Sequence, residues 1–208
     1  MARRRRPGVG SVARVSLEAI RREQLLDAAI GLVATKGYEA TTVRDIAAAA
    51  DVATGTISYW FASRDDLLRA ALVEAARRFT HRLDEAVAAA ATPQEELLAH
   101  AAAATPRTPS ETAAQVVWIE FWHQAQRDPE LRALLERLYD SWRARLAATV
   151  RRGSEAGAFR DVDAADWARR FVALADGLAL HVLLHPGSMS ADDMERIARE
   201  HIAATLLV

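Results

Sequence analysis

The chain has 208 residues, of which 51% are hydrophobic and 26% are charged, proportions typical of a folded globular protein. The lack of cysteine excludes disulfides, thiolate metal sites and cysteine nucleophiles, and it suits a reducing cytoplasm. No apolar run approaches the roughly 20 residues that span a bilayer, so no membrane partner is expected. Residues 1–64 carry ten basic and six acidic side chains, against seventeen and twenty-two in the rest. This asymmetry predicts a polyanion-binding head on an acidic body.

The first fifteen residues are rich in arginine, glycine and valine and lack helical periodicity, so they predict a flexible basic arm. From residue 16 onward nearly every segment has helical spacing, and capping residues mark the helix starts. These start signals are Thr42 with Asp45, Ser63 with Asp66, Thr92 with Glu95, Asp128 with Pro129, Asp163 with Asp166, and Ser190 with Asp193. Gly37, Gly157 and Pro186-Gly187 mark helix ends, and residues 105–109 predict a loop. The pattern predicts an all-α fold of about nine helices.

The most informative segment is residues 42–61. One short helix is predicted to end near Ala49, a break follows at residues 51–53, and a second short helix runs from Thr54 to about Phe61. The apolar residues spaced to hold these helices together are Val43, Ile46, Ala47, Ala50, Val52, Ile57 and Phe61. This is the layout of a helix-turn-helix, whose second helix enters the major groove of DNA. The polar residues left outside favour DNA binding, although they would also suit the solvated face of two surface helices.

The stretch from Leu17 to Leu68 resembles the DNA-binding domain of TetR-family transcriptional regulators. The motifs that carry the resemblance are Lys36-Gly37-Tyr38, Thr41-Thr42-Val43, Asp45-Ile46-Ala47, Gly55-Thr56-Ile57 with Tyr59 and Phe61, and Ser63-Arg64-Asp65-Asp66-Leu67. The resemblance implies a three-helix DNA-binding domain at residues 16–62 after the arm at 1–15. The remainder, residues 63–208, is then a helical domain for effector binding and dimerisation.

The resemblance also assigns DNA contacts residue by residue. The positions that correspond to phosphate contacts are Thr42, Thr54, Tyr59 and Arg64. The positions that correspond to base contacts are Arg44, Gly55, Thr56 and Ser58. The family often has two aromatics and a histidine before the final phenylalanine, whereas Ser58, Tyr59 and Trp60 stand here, so the operator sequence cannot be carried over. Trp60 would donate one hydrogen bond to a phosphate. The arm at Arg3–Arg6 would either enter a neighbouring minor groove or add only non-specific attraction.

The segment after Pro93 has no phosphate-binding loop, nucleophile elbow or zinc-protease motif, so neither catalysis nor a cofactor is expected. Its aromatic residues recur at helical spacing, which is typical of either ordinary core or a cavity for a flat or cationic ligand. The stretches Trp118–Trp122, Asp128–Leu131, Gly157–Arg160 and Asp176–Leu178 resemble the C-terminal domain of the choline-responsive betaine-pathway repressors. The predicted effector site comprises Trp118, Phe121, Trp122, Tyr139, Trp142, Phe171, Asp176 and His181. Asp176 or Glu120 would face a quaternary ammonium group held by ring faces.

The helix around residues 166–184 is apolar nearly all round, so it must be covered on both sides. The resemblance implies that this helix and the last one, 191–207, pack against the same pair in a second subunit. A two-fold homodimer would place two recognition helices about 34 Å apart, matching a palindromic operator.

His181 and His185 have a metal-ligand spacing, but no third ligand is evident, so no metal site is predicted. His123 and His181 are expected to be neutral hydrogen-bonding groups near the cavity. The sequence therefore predicts a cytoplasmic repressor that a small molecule releases from double-stranded operator DNA, with the helix at 67–83 linking the two sites. An activator or a ligand-independent repressor remains open, and a small helical enzyme is the more distant alternative.

Overall fold

The computed structural model describes the backbone of residues 9–208 and the side chains of residues 21–208, so the predicted role of Arg3–Arg6 lies outside the described residues. The described chain folds into nine α-helices, which confirms the all-α prediction. They are α1 (Val9–Lys36), α2 (Val43–Ala49), α3 (Thr54–Trp60), α4 (Arg64–Ala88), α5 (Pro93–Ala104), α6 (Pro109–Ala125), α7 (Pro129–Glu155), α8 (Ala164–Leu184) and α9 (Ala191–Leu206). Among the described helices, none has both the length and the apolar character of a membrane span.

Side-chain caps begin the helices where the sequence predicts them. The caps at Thr42, Thr92, Asp128, Asp163 and Ser190 each accept at least one backbone N–H bond from the first turn. Each such cap satisfies donors that the helix leaves free and contributes about 1 kcal/mol. A further capping box, Thr108 with Glu111, begins α6 at the end of the segment predicted only as a loop.

Two boundaries differ from the sequence prediction. Helix α1 begins at Val9, so residues 9–15 are helical and do not extend the arm to residue 15. The segment 11–15 contains neither glycine nor proline, and it continues directly into the periodic part of α1. The chain divides into two compact units between Glu74 and Ala75, inside α4, and not at residues 62 and 63.

The N-terminal unit is a small core built around the helix-turn-helix. The buried residues of that core include Leu25, Ala29, Val33, Ile46, Ala47, Ile57, Phe61, Leu67 and Leu68. The guanidinium of Arg22 lies 5.6 Å from the centre of the Phe61 ring, which adds a cation–π contact at the end of α3. Gly37 ends α1 with a φ of 85°, a conformation that glycine adopts without steric cost.

The turn between α2 and α3 is closed by backbone hydrogen bonds. The Val52 N–H donates to the Ala47 carbonyl at 3.0 Å, and the Asp51 N–H donates to the Ala48 carbonyl at 3.3 Å. Asp51 has a φ of 53°, and aspartate is among the few residues other than glycine that tolerate this region. The turn therefore has one fixed shape, which sets the angle at which α3 leaves α2.

The C-terminal unit has its own core, in which α7 packs on α8 and α5 contacts α7, α8 and α9. Its fully buried large residues include Leu97, Phe121, Leu146, Phe171, Met194, Ile202 and Leu206. Gly153 in α7 lies directly under the ring of Phe159, where a Cβ atom would overlap the ring. The Ala158 and Phe159 N–H groups both donate to the Gly153 carbonyl, which folds the chain back over the end of α7.

Candidate functional site

Helices α2 and α3 leave a polar surface on one side of the N-terminal unit. Its exposed members are Thr42, Arg44, Thr54, Gly55, Ser58 and Tyr59, while Thr56 and Trp60 are half-buried. Tyr59 is the most prominent, with 71% of its surface exposed, and its ring meets Trp60 edge to face at 4.9 Å. An aromatic side chain this exposed on a seven-residue helix has a large uncovered area to offer a partner.

The start of α2 is fixed by a network around Asp45. Its carboxylate accepts the Thr42 N–H at 3.1 Å and the Thr42 hydroxyl at 2.8 Å, and pairs with Lys36 at 2.9 Å. The hydrogen bonds from Lys36 and Thr42 lower the pKa of Asp45 to about 2, so it stays ionised. Thr42 thus gives both of its donors to Asp45, and the network holds the first turn of α2 in place.

Arg64, the first residue of α4, turns inward toward the protein and not outward. Its Nε donates to the Thr41 carbonyl at 2.7 Å, and its Nη2 donates to the carbonyls of Tyr38 and Glu39. Its Nη1 donates to Asp65 at 2.8 Å. Four of the five guanidinium N–H groups are therefore engaged within the N-terminal unit.

Two adjoining cavities open in the C-terminal unit and share the rings of Phe79, Trp118 and Trp142. The first has an empty volume of about 630 Å³ with its open mouth included, and Asp176 lines it. The second, of about 400 Å³, is closed on its other side by Tyr139. We call the four rings Phe79, Trp118, Tyr139 and Trp142 the aromatic cage, because their neighbouring centroids lie 5.8 to 6.3 Å apart in a closed circuit.

A chain of hydrogen bonds holds the carboxyl group of Asp176. The Trp122 indole N–H donates to the Tyr139 hydroxyl at 3.1 Å, and that hydroxyl donates to Asp176 Oδ2 at 2.7 Å. Burial raises the pKa of Asp176 to about 6, and the hydrogen bond from Tyr139 opposes that rise. Burial and the Asp176 charge together raise the pKa of Tyr139, so its hydroxyl stays protonated and remains a donor.

Trp142, which lines both cavities, is oriented by a hydrogen bond to a buried histidine. Its indole N–H donates to His100 Nδ1 at 3.0 Å, and His100 is fully buried. Burial, and then the charge of Arg145, lower the pKa of His100 to about 4. A neutral imidazole can accept a hydrogen bond at Nδ1, whereas an imidazolium cannot, so the low pKa maintains the contact.

The cavities contain only part of the predicted effector site. Trp118, Tyr139, Trp142 and Asp176 come together as expected. Four predicted members lie outside the cavity linings: Phe121, Trp122, Phe171 and His181. Phe171 stacks on Trp167 at 5.0 Å in the core, and Phe121 stands behind Trp118.

His181 is exposed on α8 beside His185, with ring centres 5.4 Å apart, and His123 is exposed beside Arg127. The prediction that His123 and His181 lie near the cavity was wrong, because the face of α8 that lines it carries Ala175, Asp176 and Ala179 instead. Within the described residues, no three potential ligands gather into a metal site.

Sequence reasoning missed several cavity residues. The most important is Phe79, because it contributes a ring to both cavities and was not among the residues predicted for the effector site. Others that line the first cavity are Arg82, Thr105, Glu111 and Gln115. Burial raises the pKa of Glu111, but hydrogen bonds from Thr108 and Arg107 more than offset this, so its pKa is lowered. Glu111 therefore remains ionised.

Comparison with known proteins agrees with this arrangement. A family model described as "BetI-type transcriptional repressor, C-terminal" matches residues 93–207, and one described as "Bacterial regulatory proteins, tetR family" matches residues 25–71. The HTH-type transcriptional regulator BetI of Burkholderia lata is 30% identical over 197 residues, covering 91% of this chain and 95% of that protein. The protein of the same name from Burkholderia cenocepacia is 29% identical over 194 residues, with the same coverage.

Solved structures show the same fold. A putative transcriptional regulator from Saccharomonospora viridis, in complex with choline, superposes with a TM-score of 0.86 at 29% identity, covering 91% of this chain and 99% of that one. A transcriptional regulator from Rhodococcus has a TM-score of 0.77 at 23% identity, covering 88% and 94%, and supports the fold alone.

The helix-turn-helix and these family matches define a DNA-binding transcriptional repressor, and not an enzyme. The chain belongs to the TetR family of bacterial regulatory proteins and carries a C-terminal domain of the BetI type. The predicted class is therefore confirmed.

Proposed function

We propose that the effector of this repressor is a small quaternary-ammonium cation of the choline type, bound in the first cavity. The observation that carries the proposal is Asp176, a half-buried carboxyl group in a cavity whose lining includes the rings of Phe79, Trp118 and Trp142. Ring faces and carboxylates attract a cation that cannot donate hydrogen bonds, and the lining carries two carboxyl groups, Asp176 and Glu111, against the one guanidinium of Arg82. The choline bound to the Saccharomonospora viridis regulator gives this ligand class independent support.

The proposed DNA contacts lie on the exposed face of α2 and α3. Arg44, Gly55, Thr56 and Ser58 are assigned to base edges, and Thr54, Tyr59 and Trp60 to the phosphate backbone. The support for this assignment is that these residues are exposed or half-buried on α2 and α3, and that no side chain caps the first turn of α3. Arg64 is left out because its guanidinium is engaged with backbone carbonyls, and Thr42 because both of its donors are engaged with Asp45.

The repressor is further proposed to act as a homodimer through α8 and α9, on a palindromic operator in the cytoplasm. Four apolar or small residues on α8 remain exposed or half-buried at helical spacing: Ala173, Gly177, Leu180 and Leu184. Leu184 is 58% exposed, which is unusual for a leucine unless another surface covers it. Because α4 supplies Leu67 to the N-terminal core and Phe79 to the cavities, it is the proposed carrier of the effector signal.

Calorimetric titration of the full-length protein with choline tests the effector assignment. The matched control ligand is the neutral carbon isostere of choline, in which a tert-butyl group replaces the trimethylammonium group. The matched control variant is Glu120→Gln, which removes the other candidate counter-charge, outside the cavity lining. We expect choline to bind at least about tenfold more tightly than the isostere, and Asp176→Asn to abolish that preference while Glu120→Gln preserves it. Equal binding of the two ligands by the wild type would overturn the assignment.

Selection of bound sequences from a randomised duplex library at about 150 mM salt tests the DNA assignment. We expect one palindromic site, whose recovery is lost with Thr56→Ala or Tyr59→Ala. Recovery of only sequence-blind, salt-sensitive binding would contradict the assigned base contacts.

A further inference from the structure

One arginine joins the two ends of the segment that contains the helix-turn-helix. Residues 42–61 hold α2, the turn and α3, and Arg64 follows them directly along the chain. The guanidinium of Arg64 reaches back to the carbonyls of Tyr38, Glu39 and Thr41, which directly precede α2. The entire DNA-reading unit thus lies inside a loop of chain that one side chain closes.

We propose that Arg64 is a positioning residue that holds α2 and α3 in their DNA-reading arrangement, and is not a contact to phosphate. Two of the three residues whose carbonyls bind Arg64, Tyr38 and Thr41, are also held by other hydrogen bonds. Thr41 donates its N–H to the Tyr38 carbonyl at 3.3 Å and its hydroxyl to the Gly37 carbonyl at 2.7 Å, and it is fully buried. Residue 42, the cap of α2, follows at once, so the guanidinium fixes the chain one residue before that cap.

This set of hydrogen bonds requires an arginine. The planar guanidinium carries donors at three nitrogens, and here Nε and Nη2 serve three different carbonyls while Nη1 serves Asp65. The Cζ atom of Arg64 lies 5.4 Å from the centre of the buried Tyr38 ring, so the side chain is also held by a cation–π contact. A lysine ammonium at the same position keeps the charge but cannot reach three carbonyls in one plane.

This difference separates positioning from phosphate contact. Operator affinity is measured by fluorescence anisotropy for wild type, Arg64→Lys and Arg64→Gln, over a range of salt concentrations, with the palindromic duplex recovered by selection. Positioning predicts that both variants bind roughly tenfold more weakly, with the wild-type salt dependence retained. A phosphate contact predicts that Arg64→Lys retains its affinity, and that Arg64→Gln lowers the salt slope by about 0.9. Arg44→Gln calibrates the slope change expected when a cation is lost from the exposed face of α2.

Measurements are made at a temperature at which circular dichroism shows each variant to be folded, so that a loss of stability alone does not lower the affinity. Amide hydrogen exchange of the free protein provides a second readout that needs no operator. We expect Arg64→Lys to speed exchange in α2 and α3 and to leave α7 and α8 unchanged. Wild-type affinity in both variants, or unchanged exchange in α2 and α3, would overturn the proposal.

Discussion

The affinity of the repressor for a quaternary-ammonium effector should depend on pH through one carboxyl group. Burial raises the pKa of Asp176 to about 6, so this side chain is largely ionised at pH 8 and largely protonated at pH 5. A permanent cation is attracted to the carboxylate but not to the neutral acid. The cavity lining also contains the guanidinium of Arg82 and the carboxyl group of Glu111, whose pKa is lowered, so Glu111 stays ionised over this range.

The size of the effect follows from that pKa. At pH 5, one unit below it, about one molecule in eleven carries the ionised Asp176, so the choline affinity should fall about tenfold between pH 8 and pH 5. Asp176→Asn should bind choline about tenfold to a hundredfold more weakly at pH 8, since a charge pair at an effective dielectric of about 20 contributes a few kcal/mol before desolvation. Its affinity should then change little with pH.

Isothermal titration calorimetry provides the assay. Titrations at about pH 6 in buffers of different ionisation enthalpy count the protons exchanged, and we expect about half a proton to be released per choline bound. The protein must remain folded at pH 5, which circular dichroism checks in the same buffers. A wild-type affinity that is equal at pH 5 and pH 8, with no proton release, would refute the role of Asp176 as the counter-charge.

Three further predictions concern stability and assembly. Because the pKa of Asp176 is raised in the folded protein, Asp176 stabilises the fold at pH values below its unfolded pKa, and this stabilisation is lost as the pH rises through about 6. Because the pKa of His100 is lowered, His100 stabilises the fold above pH 6.5, and this stabilisation is lost as the pH falls toward about 4. Chemical denaturation should therefore show that, as the pH falls from about 6.5 to 4, the free energy of unfolding of His100→Asn rises relative to wild type and that of Asp176→Asn falls, by about 3 kcal/mol each. Variants whose free energy of unfolding follows the same pH dependence as wild type would contradict this. Gly153→Ala should lower the free energy of unfolding by about 1 to 3 kcal/mol, because the added Cβ would overlap the ring of Phe159. The control Gly31→Ala in α1, where the added Cβ meets open space, should raise it by up to about 1 kcal/mol in the same assay. Leu184→Asp should weaken the dimer at least about tenfold by analytical ultracentrifugation, and the exposed control Val73→Asp should not; a dimer unaffected by Leu184→Asp would exclude α8 as the interface.

The local signals of this sequence determined the helices and the class of protein. Capping residues such as Thr42 and Ser190 act within four residues of themselves, so their hydrogen bonds could be predicted without knowing the tertiary structure. The helix-turn-helix could be predicted for the same reason, because its apolar spacing and its turn lie within twenty contiguous residues. The family motifs added the identity of the domain, which the comparisons confirm.

The tertiary structure decided which aromatic residues line the cavities. Phe121, Phe171 and Trp118 have similar spacing along their helices, but only Trp118 faces the cavity, because the direction of a side chain depends on how its helix is rotated against its neighbours. Phe79 comes from α4, far along the chain from Trp118 and Trp142, so no local pattern could associate it with them.

The same distinction applies to charged residues. From the sequence, Arg64 is one more basic residue beside a helix-turn-helix, and phosphate is its expected partner. Three of its actual partners lie 23 to 26 residues earlier in the chain and are backbone carbonyls, which every residue has and which no sequence pattern marks. Asp176 is likewise an ordinary aspartate in the sequence, and its raised pKa arises only from the burial that the folded helices impose. The sequence alone thus determined the helices and the family, whereas long-range packing decided the environment of each functional side chain.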